Sequence, residues 1–536
     1  MIGILSFLMV VCAIMICHPR KARACILFYA GGDTTDDGAN MFMRTEEMNE
    51  DTNKIYYVSP AGNHVKGEVY QGCSDFTWTF THDSCRYTAR RDDNLFGICP
   101  DCGRTHFHTP FEEDGTNEHG VTISATQTIY ANSSIEKTDP FTKNGIGEAE
   151  IATVLLSEAR TAREGLELLL SIYDSVGAGS VSNNDPEGAG TMICDQKEQW
   201  YVECLSGHEY IAVLLPPNVA FMQFNVSVLG RIDLKDKKHV IASDHVIDVA
   251  QKAGTFVGDA EHQIIDFRAS YNDYLVKEHD ADRRLLLQER MAAALNFLSG
   301  TDTWTIGSVL EDNDFVMTNI DEHGHIVPLH NALVLKDKMS LDHALALFRL
   351  DPIGYVENVN THLLRFYRTR EQPFGTVEWS TMDNTRYNVF VPCFPMLLTD
   401  TWEGCKVSLD KEQVVEQPPK SKDCYFKDGK YHVYPKGWEN SYIATLSALS
   451  SVLTYGSLSE KGISLAEYNL CRLQKEFVVR FSHLSDELQS TASTEDRERI
   501  MTRANMEMTA QVHDLAMALY RYYVYGEKSG QSVIFE

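Results

Sequence analysis

Positive charge is in short supply in this chain. Its 48 Lys and Arg residues face 76 Asp and Glu, for a formal net charge of −28. A surface that acidic repels a phosphate backbone, which excludes nucleic acid as a natural partner. Past the first twenty or so residues there is no long apolar run, so no later segment suits a bilayer span. No internal repeat is evident, and metal-ligand spacings are nearly missing. The rest of the composition is ordinary for a soluble globular protein, at 43% hydrophobic and 23% charged. At 536 residues the chain can bury a sizeable core, in one large domain or a few smaller ones.

The one long apolar run is at the start. Ile2 to Cys17 is interrupted only by Gly3 and Ser6. It is short for a membrane span and suits the core of a signal peptide. No Lys or Arg precedes it, and Arg20, Lys21 and Arg23 follow it, which is atypical. Ala22 and Ala24 are the small residues a signal peptidase prefers before its cut. Leu is absent three residues before Cys25, which argues against a lipid-modified cysteine. The expectation is that residues 1–24 are a signal peptide or propeptide and that the chain is exported, to a periplasm or the extracellular space. An uncleaved signal anchor is the weaker reading. With the leader removed, no stable membrane span is expected.

A cut between Ala24 and Cys25 gives a first residue with both a thiol and a free α-amine. An α-amine titrates near ~7.7–8 and a thiol near ~8.5, so one group can take the proton of the other close to neutral pH. Nucleophile and base then sit on one residue. Cys25 could equally be a small apolar residue just past a cleavage site, and from its own position the two readings are balanced.

Cys25–Ala30 and Gly38–Arg44 read as adjacent strands, and residues 45–54 as an acidic loop. Lys54–Val58, Val65–Tyr70 and the alternating run Val121–Tyr130 are further strands. Gly147–Val176 has helical periodicity. Strands follow at Thr191–Cys194, Trp200–Leu205, Tyr210–Leu215 and Ala220–Asn225. Asp282–Leu298 and Leu341–Leu350 read as helices, with Ser340 as N-cap of the second. Residues 361–399 return to strand, and the last hundred are mostly helical: 441–453, 465–488 and 497–525. This order predicts a layered α+β fold.

Between Cys73 and Pro110 the chain reads as an irregular insertion tied down by cysteines. Cys99-Pro100-Asp101-Cys102-Gly103 looks like half a zinc ribbon, with Cys73, Cys85, His106 and His108 nearby. In an exported protein, disulfides are the better use of those thiols. His279-Asp280 stands alone in a charged stretch and reads as a solvated helix start. Asn132-Ser133-Ser134 and Asn225-Val226-Ser227 have the pattern of glycosylation acceptors.

Several segments together resemble the dipeptidase A family of cysteine peptidases. These are N-terminal-nucleophile (Ntn) hydrolases, with penicillin V acylase and bile salt hydrolase as distant relatives. Cys25 starts a strand and Arg44 follows nineteen residues later, ahead of Thr45-Glu46-Glu47. Gly115-Thr116-Asn117-Glu118-His119-Gly120-Val121 matches the family's Gly-x-Asn-Glu-x-Gly-Val stretch. Asp139-Pro140, Gly145-Ile146-Gly147-Glu148, Trp200-Tyr201-Val202-Glu203, Ser206-Gly207-His208, Pro216-Pro217-Asn218 and Phe390-Val391-Pro392 match further blocks.

The resemblance implies a four-layer αββα Ntn sandwich with additional C-terminal helices. Residues 25–435 would form the catalytic domain and 436–536 a helical region packed on it. It implies hydrolysis of dipeptides through a thioester acyl-enzyme, with no cofactor and no metal. Cys25 would be nucleophile and base, and Arg44 the arginine beside it. Glu47 stands where the family has Asp, and Thr45 replaces its usual Asn. Asn225 would supply an oxyanion-hole amide, and Arg283 would correspond to a second active-site arginine. Two other readings stand behind this one. They are an Ntn amidase acting on a non-peptide N-acyl amide, and a secreted disulfide-rich binding protein. Assembly into a homo-oligomer is compatible with all three.

Overall fold

The computed structural model describes residues 25–48, 53–72, 75–93, 111–179, 187–272, 281–305, 319–320, 326–327 and 335–526. The leader, Cys73, Cys99, Cys102, His106, His108, His279-Asp280 and the Arg283 side chain lie outside the described residues.

Two antiparallel sheets dominate. Fourteen strands concern the site. They are β1 (Ile26–Ala30), β2 (Asn40–Glu47), β3 (Lys54–Ser59), β4 (Tyr87–Asp92), β5 (Glu112–Asn117), β6 (Thr122–Tyr130) and β7 (Glu187–Cys194). They continue with β8 (Gln199–Cys204), β9 (Tyr210–Leu214), β10 (Ala220–Gln223), β11 (Val240–Ala242), β12 (Asn358–Phe366), β13 (Thr376–Met382) and β14 (Val391–Cys393). The first sheet runs β10-β1-β2-β12-β13-β14, and the second runs β11-β9-β8-β7-β6-β5-β4-β3. The helices that pack on them are α1 (Glu148–Glu158), α2 (Ala162–Ser175), α3 (Ala281–Ser299), α4 (Leu341–Phe348), α5 (Tyr442–Tyr455), α6 (Glu460–Ser490) and α7 (Thr494–Tyr525).

Strand alternation decides what each face meets. In β1, Ile26, Phe28 and Ala30 join a cluster with Met291 and Leu295 of α3, Leu446 of α5, Phe477 of α6 and Met508 of α7. Leu27 and Tyr29 join a different cluster, with Met192, Tyr201, Ile211 and Val213 of the second sheet. A third cluster sets Ile123, Ile193, Trp200 and Val202 against Ile151, Leu155, Leu166 and Leu169 of α1 and α2. β1 is therefore buried on both faces, which explains its unbroken apolar run. Among the described residues no helix is long and apolar enough to cross a membrane.

The expected strands and helices are largely present, and Ser340 caps α4 by accepting the His343 N–H at 3.1 Å. Three expectations need correction. The helix expected over 147–176 is two helices. Asn117 Nδ2 donates to the carbonyls of Leu156 (3.1 Å) and Ala159 (2.7 Å), satisfying groups freed where α1 stops. Thr161 then caps α2 by accepting the Glu164 N–H. The acidic stretch after Arg44 is no loop at its start, since β2 continues through Thr45, Glu46 and Glu47, all buried. Finally, the region 73–110 contributes a strand of the second sheet, β4, and Cys85 there is a free thiol. Cys194, Cys204, Cys393, Cys405, Cys424 and Cys471 are likewise free thiols.

Candidate active site

β2 carries charge on both of its faces. Arg44 and Glu46 share a face with Phe42, toward the second sheet, while Thr45 and Glu47 share one with Met41 and Met43, toward the helices. β1 and β2 pair Leu27 with Arg44 and Ile26 with Thr45. That register brings Cys25 against the Arg44 side chain. Arg44 Nη2 lies 3.2 Å from Cys25 Sγ, 3.0 Å from Glu113 Oε2 and 3.5 Å from Glu148 Oε1. The guanidinium is fully buried, and its Nε and Nη1 have no hydrogen-bond partner.

Glu113 reaches this point through a bulge. Arg90 pairs with Asp114 and Arg91 with Glu112, so Glu113 is skipped in the ladder and is free to turn inward. Glu148 is the first residue of α1, where the helix dipole favours a carboxylate. Lys54 bonds both Glu46 and Asp92, and Asn360 Nδ2 donates to Glu46. The site is thus a buried cluster in which acids crowd two cations.

Burial dominates the electrostatics. It pushes the Cys25 thiol up to about 12, against the pull of Arg44 and with the push of Glu148, Glu113 and Glu47. Burial and the neighbouring Glu148 push Glu113 up to about 8, although Arg44 and Lys54 oppose them. Burial also raises Glu46, with Glu113 adding to it and Lys54 opposing. A thiol in that state is not ionised near neutral pH without a base.

On the other face of β2, Glu47 Oε2 accepts from Arg290 Nη1 at 2.7 Å. Glu47 Oε1 accepts from Thr45 Oγ1 (3.0 Å) and Asn358 Nδ2 (3.2 Å), and the Tyr355 ring lies under the Arg290 guanidinium. The Glu47 carboxylate therefore grips α3 rather than the sulfur. Burial raises its carboxyl while Arg290 pulls it down.

Asn225 follows β10 and is buried, with φ +60°. β10 pairs Gln223 with Leu27, so continuing that register sets Asn225 beside Cys25. Burial also rules out Asn225 as a glycan acceptor. The other acceptor pattern is at work as a cap, since Asn132 Oδ1 takes the N–H groups of Ser134 and Ile135.

The structure thus brings together Cys25, Arg44 and Asn225 and places Glu47 behind the strand. It adds Glu113, Glu148, Arg290 and Gln223. Gln223 is fully buried on the same sheet row as Leu27 and Arg44, and neither atom of its carboxamide has a partner. Arg290 lies seven residues after Arg283 in the same helix, among Leu286, Leu287, Met291 and Ala294, all buried. An arginine set among these apolar residues was its signal.

Comparison with known proteins fits this geometry. The family model of peptidase family C69 matches residues 24–299, beginning one residue before Cys25. The chain is 30% identical over 381 residues to a probable dipeptidase B of Streptococcus pyogenes serotype M1, covering 69% of this chain and 71% of that one. It is 33% identical over 257 residues to a probable dipeptidase of Salmonella dublin, covering 47% of this chain and 54% of that one. Among solved structures, a mutant of conjugated bile acid hydrolase from Clostridium perfringens aligns over 69% of this chain and 96% of its own at 12% identity. Its TM-score is 0.29, a likeness too slight to bear on function. The class is that of peptide-bond hydrolases. The chain belongs to peptidase family C69.

Proposed function

We propose that this chain is an exported cysteine dipeptidase whose mature form begins at Cys25. The observation that carries the reading is the contact of Arg44 with the Cys25 sulfur, at the start of the segment shared with family C69. The names of the relatives supply the substrate class, a dipeptide.

While Ala24 is attached, the Cys25 nitrogen is an amide and cannot act as a base. A cut after Ala24 frees an amine that takes the thiol proton. The thiolate attacks the scissile carbonyl carbon, and the carbonyl π electrons move to oxygen. The Asn225 carboxamide donates to that oxygen. Collapse expels the C-terminal amino acid, whose amine receives the proton held by the Cys25 amine, and leaves a thioester. Water, deprotonated by the same amine, attacks the thioester; the proton returns to sulfur and the acid is released. Arg44 holds the thiolate in place by charge and hydrogen bonding. Glu47 is a positioning residue, tying the end of β2 to Arg290.

The fold belonging to this reading is the four-layer αββα sandwich. Its support is the set of three clusters that pair helix with sheet, sheet with sheet, and sheet with helix. Residues 25–435 are the catalytic domain, and 436–536 pack on it through α5 to α7, whose side chains share a cluster with β1.

The test combines N-terminal sequencing of the secreted protein with turnover on dipeptides and on neutral N-acyl amides. The expected result is a chain starting at Cys25 that prefers dipeptides. Full turnover by a Cys25→Ala protein cut after Ala24 would overturn the mechanism, and a preference for N-acyl amides would overturn the substrate class.

A further inference from the structure

The chain has a second cluster of reactive side chains, on the far end of β5. Cys85 Sγ, a carboxylate oxygen of Glu118 and a ring nitrogen of His119 lie within 4.8 Å of one another. Two short segments build it. Cys85 stands two residues before β4, and Glu118-His119 form the turn that joins β5 to β6.

Both segments are held independently of any ligand. The Glu118 N–H donates to the Arg86 carbonyl at 2.8 Å, and the Arg86 N–H donates to Glu118 Oε1 at 3.0 Å. The Cys85 N–H donates to the Ser157 carbonyl at 3.0 Å. Asn117 Oδ1 accepts the N–H groups of His119 (3.0 Å) and Val121 (3.1 Å), which closes the turn, and Gly120 takes the φ of +81° that the turn requires. The His119 carbonyl accepts from Gln372 Nε2 at 3.4 Å. In each case the backbone or one oxygen is engaged. A carboxylate oxygen of Glu118, a ring nitrogen of His119 and the thiol of Cys85 converge at this point.

Thiolate, imidazole and carboxylate are the donors that zinc takes in proteins, at about 2.0–2.3 Å. Three atoms within 4.8 Å close onto one such ion by small side-chain rotations. Glu118 is fixed by Arg86 and Cys85 is buried, so the His119 ring is the member that moves.

We propose that Cys85, Glu118 and His119 form a binding site for a divalent zinc-like cation, with water in the fourth position. On binding, the Cys85 thiol releases its proton to solvent and its sulfur bonds the metal as a thiolate. Glu118 stands five positions after Glu113, roughly 17 Å along an extended chain at ~3.3 Å per residue. The metal therefore takes no part at Cys25. It clamps the β5–β6 turn to the segment before β4 and stabilises the fold by linkage.

The test uses the whole protein, reduced and freed of metal, titrated with Co²⁺ and then Zn²⁺. The expected result is a thiolate-to-cobalt charge-transfer band saturating at one equivalent, bleached by Zn²⁺, and a Zn²⁺-dependent rise in Tm of about 2 °C or more. Cys85→Ser and His119→Ala should each abolish the band and the shift while keeping dipeptide turnover, which shows that both variants fold. His119→Ala covers the case in which the buried serine disturbs packing. A band of wild-type intensity in both variants, or no metal-dependent band or Tm shift in the wild type, overturns the proposal.

Discussion

Arg44 and Cys25 stand nineteen residues apart in the chain and 3.2 Å apart in space, with the arginine buried to the last atom. One nitrogen, Nη2, serves the sulfur and two carboxylates. Arg44→Lys keeps the charge and loses the planar fork. It should lower kcat/KM on the order of 100-fold, about 2.7 kcal/mol, with a matching slowing of Cys25 alkylation. Steady-state kinetics and the inactivation rate with iodoacetamide measure the two effects. Unchanged alkylation would remove Arg44 from thiolate stabilisation.

Glu47 and Arg290 make a buried ion pair at 2.7 Å between β2 and α3. Removing one member leaves the other uncompensated, at a cost of about 3–5 kcal/mol. Glu47→Gln and Arg290→Met should each destabilise by that order, and the double variant by much less than their sum. Urea unfolding of the four proteins gives the coupling directly. Additive losses would mean that the two side chains act separately.

The raised carboxyl of Glu113 gives a pH dependence of known sign. Its folded value is about 8 against an ordinary 4.5, so the folded protein holds the proton more tightly than the unfolded chain does. Its contribution to stability is full below the unfolded value and is lost as pH rises through the folded one. Glu113→Gln should flatten the fall in unfolding free energy between about pH 5 and 8. The Cys25 thiol, also raised, begins to lose its contribution only above its unfolded value near ~8.5, outside that window. Equal slopes in variant and wild type across that window would show that Glu113 is not the group concerned.

Asn225 allows backbone and side chain to be tested apart. Its φ of +60° suits glycine as well as asparagine. Asn225→Gly should keep the fold and lose about 10²–10³-fold in kcat, the usual effect of removing an oxyanion donor. Asn225→Val should add a stability loss of about 1–3 kcal/mol from the strained backbone. Wild-type turnover in the glycine variant would release Asn225 from catalysis.

Gln223 is buried with both carboxamide atoms unpartnered, a burden of about 1–3 kcal/mol for the folded protein. Gln223→Leu should raise stability by about 1 kcal/mol while raising KM for dipeptides. Thermal unfolding and kinetics on one preparation check both halves. A more stable variant with unchanged kinetics would make Gln223 a mere packing defect.

The sequence displays strands and helices wherever apolar periodicity is strong. β1, the alternating run of β6 and the terminal helices all follow from it. It hides features set by tertiary partners. Glu46 and Glu47 read as a solvated loop because their counter-ions, Lys54 and Arg290, come from elsewhere in the chain. Glu113 gave no local sign, since a bulge is a property of pairing with β4 rather than of its own residues. The break between α1 and α2 is set by the Asn117 side chain, a residue more than thirty positions away. Cys25 and Arg44 were legible as a spacing. Their contact required the β1–β2 register.

That register limits how the chain can vary. Within residues 40–47, Arg44 points to one side of the strand and Glu47 to the other. Inserting or deleting one residue between Asn40 and Arg44 would exchange the two sides at once, setting Glu47 toward the thiol and Arg44 toward α3. A frame shift inside β2 would therefore turn the active centre inside out without altering a single side chain's chemistry.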